Sequence, residues 1–119
     1  MKRISLFLFI ALVFASCSSV LITGRKQLLL VSDAEVLSMS ATAYKQFIDS
    51  VPISKNVGNS AMVRKVGLKI STEVEKFLIN NGAAADTANY AWEFNLVKDT
   101  TVNAFCMPGG KIAFYTGIL

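Results

Sequence analysis

An α+β fold is predicted by three features of the chain: two stretches with helical apolar spacing, one with strict alternation, and a Pro-Gly-Gly turn between two apolar runs. The helices come first and the strands after them, which is not the alternating order of a βαβ sheet. The expected architecture is two amphipathic helices followed by a small, mostly antiparallel sheet that includes a β-hairpin.

The first helix begins at Ser32. Ser32-Asp33-Ala34-Glu35 has the form of a capping box, in which the serine oxygen and the glutamate each satisfy an orphan backbone N–H. Asp33 and Glu35 also suit the positive end of the helix dipole. Leu37, Ala41, Tyr44 and Ile48 form the apolar stripe, with Val36, Ala43 and Phe47 beside it. At this spacing Tyr44 reads as core rather than as a functional hydroxyl. Ser50 and Pro52 end the helix.

A second helix is expected from about Ser60 to Asn80. Val63, Val66, Ile70, Val74, Phe77 and Leu78 mark its buried face, and Arg64, Lys65, Lys69, Glu73, Glu75 and Lys76 its solvated one. Gly67 costs about 1 kcal/mol relative to alanine in a helix, so it is expected at a close contact with the first helix. Asn81-Gly82 supplies the left-handed stop.

Beyond the small-residue loop at 83–89 the period becomes two. Tyr90, Trp92, Phe94 and Leu96 face one way, and Ala91, Glu93 and Asn95 the other, as in a half-buried strand. Lys98-Asp99-Thr100 turns the chain. Thr101 to Met107 and Lys111 to Tyr115 then flank Pro108-Gly109-Gly110, where proline presets one turn position and glycine supplies positive φ. The chain stops at the apolar pair Ile118-Leu119, and the pattern leads us to expect a chain interrupted before its core is complete.

Composition narrows the function. Of 119 residues none is histidine, the commonest metal ligand and the usual general base near neutral pH. The net charge is +4; setting aside Lys2 and Arg3 leaves 10 basic against 8 acidic residues, a balance of +2. No basic stripe interleaved with aromatics remains, so nucleic acid is excluded as an expected partner.

Lys2 and Arg3 belong instead to an export signal. They precede the apolar run from Ile4 to Ala15, which is too short for a bilayer-spanning helix of about 20 residues. Phe14-Ala15-Ser16-Cys17 resembles a lipobox, although leucine is more usual in the first position. That resemblance implies residues 1–16 as a lipoprotein signal peptide and lipidation of Cys17, whose several acyl chains give stable membrane anchoring. The other reading is a plain secretory peptide with Cys17 incidental. Residues 17–31 then form a lipid-anchored tether, Ser18 to Arg25, with a short strand at Gln27 to Val31. With Cys17 acylated, Cys106 has no intrachain partner; it reads as a buried small hydrophobe.

One further pattern is specific. The run from Asn103 to Ile112, with Phe114-Tyr115-Thr116-Gly117-Ile118-Leu119 after it, resembles the hairpin before the zinc helix in peptidases of the CAAX prenyl protease and HtpX type, metallopeptidase family forty-eight. Thr23-Gly24-Arg25-Lys26-Gln27-Leu28 and Val31-Ser32-Asp33-Ala34-Glu35 resemble the mature start of that family's bacterial lipoprotein members. The resemblance implies that residues 32–119 are the N-terminal portion of a zincin-like metallopeptidase domain. It implies a zinc-dependent metalloendopeptidase of the bacterial cell envelope, acting on misfolded proteins. The expected location is periplasm-facing and lipid-anchored, at the outer membrane. Asn103, Ala104, Phe105 and Cys106 map onto the edge that holds a peptide or protein substrate by strand addition; Phe105, Ile112 and Phe114 are expected as core side chains beneath it.

The family follows this hairpin with a helix carrying H-E-x-x-H, whose histidines bind zinc and whose glutamate activates water. Without a histidine the chain as written has no expected catalytic residue and no zinc ligand. Glu35, Glu73, Glu75 and Glu93 are not expected to gather around a metal. A non-catalytic, lipid-anchored envelope binding protein is the alternative.

Overall fold

The computed structural model describes residues 17–19, 25–28 and 30–119. The chain divides into two compact units, residues 1–32 and 33–119. In the first, β1 (Cys17–Ser19) pairs antiparallel with β2 (Lys26–Leu28), Cys17 opposite Leu28. Ser18 and Ser19, expected in a tether, are therefore strand, and β2 covers only Gln27 and Leu28 of the strand expected to run to Val31. The proposed signal segment, 1–16, lies outside the described residues. No helix among the described residues is long and apolar enough to cross a membrane.

The second unit is α+β, as expected. It runs α1 (Asp33–Ser50), α2 (Val57–Asn80), a 3-10 helix (Ala84–Asn89), β3 (Glu93–Val97), β4 (Ala104–Met107), β5 (Lys111–Tyr115) and a final 3-10 turn (Thr116–Ile118). Helix α2 starts earlier than the apolar spacing indicated. Its N-cap is Asn56, whose side-chain oxygen accepts from Asn59 N at 3.0 Å. Asparagine in that position satisfies one of the orphan donors, so the helix can begin at Val57.

The sheet is mixed, in the order β3-β5-β4. β4 and β5 form the antiparallel hairpin, with Phe105 opposite Ala113. β3 lies parallel to β5, Phe94 beside Ile112 and Leu96 beside Phe114. The loop from Lys98 to Asn103 carries the chain past one strand's width, and the Pro-Gly-Gly turn returns β5 into the space left between. The crossing is held by Thr116, whose Oγ1 donates to Asp99 O at 2.7 Å, and by Gly117 N donating to the same oxygen at 2.8 Å.

Strand alternation then divides the side chains between two faces. Val97, Ala113, Tyr115, Phe105 and Met107 turn toward α1, where Tyr44, Val97 and Ala113 form the buried core with Phe47, Ile48 and Val51 against it. Phe94, Leu96, Ile112 and Phe114 turn the other way, toward α2.

Helix α2 buries Val63, Gly67, Ser71 and Leu78. Val66 and Ile70, expected inside, are 51% and 59% exposed, and Phe77 is 48% exposed. The helix is rotated because its contact face is built on small residues. A side chain at Gly67 would collide with the ring of Phe94, so the close neighbour is β3 and not the first helix. Glu75 is also not fully solvated, since its Oε1 accepts from Trp92 Nε1 at 2.7 Å.

Candidate functional site

One side of the sheet is closed and the other open. Outside β3 the segment after α1 pairs back: Ser54 N donates to Leu96 O at 2.8 Å and Lys98 N to Pro52 O at 2.7 Å, with Ile53 bridged to Val97. Outside β4 no strand pairs among the described residues. The open edge is the segment singled out in the sequence.

Its register fixes which groups are available. Tyr115 N donates to Asn103 O at 3.0 Å, so Asn103 and Tyr115 are a hydrogen-bonded pair. Such pairs alternate with non-bonded ones along an antiparallel ladder. Asn103, Phe105 and Met107 therefore direct their main chains inward to β5. Ala104 and Cys106 direct theirs outward, and these are the N–H and C=O groups an added strand could meet.

The side chains divide as cleanly. Ala104 and Cys106 are exposed. Cys106 is thus not the buried small hydrophobe its apolar neighbours suggested, because odd and even positions of an edge strand face opposite ways. Partial desolvation against the sheet still pushes its thiol above the ordinary cysteine value. Phe105 is half-buried and joins an aromatic cluster on the α1 side, edge-on to Phe47 at 5.0 Å and to Tyr115 at 6.4 Å between ring centroids. Core packing for Phe105, Ile112 and Phe114 was expected; each is half-buried.

Three polar side chains hold this hairpin. Ser40 Oγ donates to Pro108 O at 2.7 Å and Tyr44 Oη to Ile112 O at 2.6 Å. Tyr44 Oη also accepts from Asn95 Nδ2 at 3.1 Å. Burial, with a smaller contribution from the Glu93 charge, raises the phenol above its ordinary value even though the Asn95 bond opposes the rise. Lys111 is only 8% exposed and is held by Ala91 O at 2.7 Å and by the Glu93 carboxylate. Sequence reasoning missed Ser40 and Lys111. Lys111 opposite Glu93 was in principle visible, since both are charged positions within otherwise apolar strands.

On the α2 side of the sheet a groove of about 320 Å³ opens between the helix and the hairpin, lined by Val66, Ile70, Trp92, Phe94, Ile112 and Phe114 among others. The helix packs on β3, and on this face of β5 Ile112 and Phe114 stay half-buried.

A metal centre is not assembled here. Glu73 pairs with Lys76 at 2.7 Å, Glu75 with Trp92 and Glu93 with Lys111, while Glu35 lies in the first turn of α1. The described residues contain no group of three or more histidine, cysteine or acidic side chains able to hold a metal. These residues do not fit a zinc site, and no chemical step through zinc follows from them.

Comparison with known proteins bears on the same segment. Residues 65–119, from within α2 through the hairpin, match the sequence model of Peptidase family M48. The chain is 41% identical over 39 residues to mitochondrial metalloendopeptidase OMA1 of Arabidopsis thaliana, covering 33% of this chain and 8% of that protein. It is 40% identical over 37 residues to the protein of the same name from Schizosaccharomyces pombe, covering 31% and 11%. The matched stretch is therefore a small share of either relative. No solved structure matches. Residues 65–119 of the chain are thus similar to the peptidases of family M48, and over stretches of 39 and 37 residues the chain is similar to mitochondrial metalloendopeptidases.

Proposed function

We propose that this polypeptide is the substrate-holding part of a zinc metalloendopeptidase of the CAAX prenyl protease and HtpX type, working in the bacterial cell envelope on misfolded proteins. The observation that carries the proposal is the open β4 edge, which lies inside the segment similar to family M48. An extended protein segment adds to that edge as a further strand, bonding to the main chains of Ala104 and Cys106; Asn103 and Phe105 flank them. Main-chain bonding suits an enzyme for unfolded chains, because every sequence carries the same groups. The chain has no histidine, so in this reading the zinc ligands come from residues beyond these 119.

The strand-addition step is testable on the chain itself. A fluorescein-labelled, threonine-rich peptide is expected to bind with rising anisotropy. N-methylation at the two positions facing Ala104 and Cys106 should abolish binding, while methylation at the intervening position should leave it nearly unchanged. Equal binding by all three peptides would sink strand addition at this edge.

The anchor is the second element of the proposal. Its support is the lipobox-like Phe14-Ala15-Ser16-Cys17 after a short apolar run. In cells fed an alkyne-bearing fatty acid, the full chain should carry label and partition with outer membranes. Cys17→Ser should carry none; label retained by that variant excludes Cys17 as the attachment point.

The second reading, a non-catalytic lipid-anchored binding protein, is favoured by the scattered carboxylates and the missing histidine. It uses the same edge and predicts the same peptide binding.

A further inference from the structure

If segments of protein do add to β4 as just proposed, the same register says which ones are preferred. We infer that Phe105 selects for an aromatic or β-branched residue at the centre of the bound strand, with little demand on the residue at either side of it.

The pairing sets the geometry. A strand added antiparallel exchanges hydrogen bonds with Ala104 and Cys106, because theirs are the outward main-chain groups. The residue between, opposite Phe105, falls in a non-hydrogen-bonded pair. In such pairs the α-carbons approach to about 4.5 Å and the side chains are at their closest. The incoming central side chain therefore meets the Phe105 ring on the α1 face of the sheet.

That ring is not free to give way. It stands edge-on between Phe47 and Tyr115, at interplanar angles of 74° and 86°, and these two rings lie nearly parallel to each other at 6.5 Å. The nearby cation on this face, Lys111, is already engaged by Glu93 and Ala91 O. An acidic central residue would lose water against an aromatic edge and gain no partner.

The two neighbouring positions differ. Their side chains share the α2 face with Ala104 and Cys106, where β4 offers a methyl and a thiol. Large residues there have room above the edge, and small ones lose little. The preferred substrate class is thus an extended segment with one aromatic or β-branched residue, flanked by residues of any size. Such segments are buried in folded proteins and become available on unfolding.

The experiment compares short threonine-rich peptides that differ only at the central residue, on the full chain. Phenylalanine or isoleucine at the centre should bind roughly two- to fivefold tighter than alanine, the range for an aromatic cross-strand pair, and aspartate weaker than alanine. In Phe105→Leu, which keeps an apolar side chain in the cluster, the phenylalanine-over-alanine ratio should narrow; in Phe105→Ala it should vanish. If no peptide binds the unaltered chain, the strand-addition reading itself fails. If peptides bind but the central residue makes no difference, or the preference survives Phe105→Ala, the selection by Phe105 is overturned and strand addition stands.

Discussion

Tyr44→Ala is expected to lower the unfolding free energy of the unit from Asp33 to Leu119 by about 3–5 kcal/mol, the range for truncating a buried aromatic side chain. The ring is 1% exposed, and with Val97 and Ala113 it is the centre of the core. Ala113 is fully buried in the same cluster, against which Phe47, Ile48 and Val51 also pack. Small domains are stable by only about 5–15 kcal/mol in total, so the variant loses a large fraction of its margin. Tyr44→Phe separates packing from hydrogen bonding. It keeps the ring but leaves Ile112 O and Asn95 Nδ2 without the hydroxyl, at a cost of about 1–3 kcal/mol. Urea titrations followed by the fluorescence of Trp92, the single tryptophan, measure both. A loss under about 1 kcal/mol for Tyr44→Ala would mean that α1 does not depend on this contact.

Much of the fold was legible because its signals are local. The capping residues and apolar stripe of α1, the alternation of β3, and the Pro-Gly-Gly turn each act within a few residues, and each led to the element observed. Less legible was what depends on partners distant in sequence. Nothing in Glu93 to Val97 states that the strand will run parallel to β5, because that is decided by a loop that carries β4 past an unfilled position. The buried face of α2 was misplaced for a related reason. Large apolar residues attract a hydrophobicity argument, but the helix approaches the sheet through Gly67 and Ser71, and Val66 and Ile70 are left at the rim of the groove.

The strand edge proposed as the site was legible in the same uneven way. Family resemblance pointed to Asn103 through Cys106, and the open edge is there. Which of the four presents its main chain outward follows only from the Asn103–Tyr115 bond. Cys106 shows the limit most plainly: its neighbours are apolar, yet as an edge residue on the outward-facing alternation it is exposed.

That register is pinned at the turn, which makes Gly110→Ala the most informative change in the hairpin. Gly110 has φ +77° and its added methyl would lie 2.6 Å from the indole ring of Trp92. A left-handed backbone costs a residue such as alanine about 1–2 kcal/mol, and overpacking a filled site typically adds about 1–3 kcal/mol. The ring cannot retreat easily. It stacks on Tyr90 at 4.6 Å and on Phe94 at 6.2 Å, and its Nε1 is held by Glu75. The combined loss should be about 2–5 kcal/mol on those two terms. Gly109 shares the positive φ, at +82°, but its nearest obstacle is a Leu37 methyl at 3.2 Å, the end of a flexible side chain. Gly109→Ala should therefore cost about 1–2 kcal/mol, from the backbone alone. Asparagine tells the two causes apart, since it tolerates the left-handed region better than alanine. Gly109→Asn should recover most of the loss in a urea titration, and Gly110→Asn should recover little, because the indole still stands in the way. If Gly110→Asn were as stable as the unaltered chain, the Trp92 contact would carry no weight and the turn would be constrained by its backbone only. The peptide titration supplies the functional half of the test: a displaced turn shifts β4 against β5, so Gly110→Ala should lose strand addition while Gly109→Ala retains it.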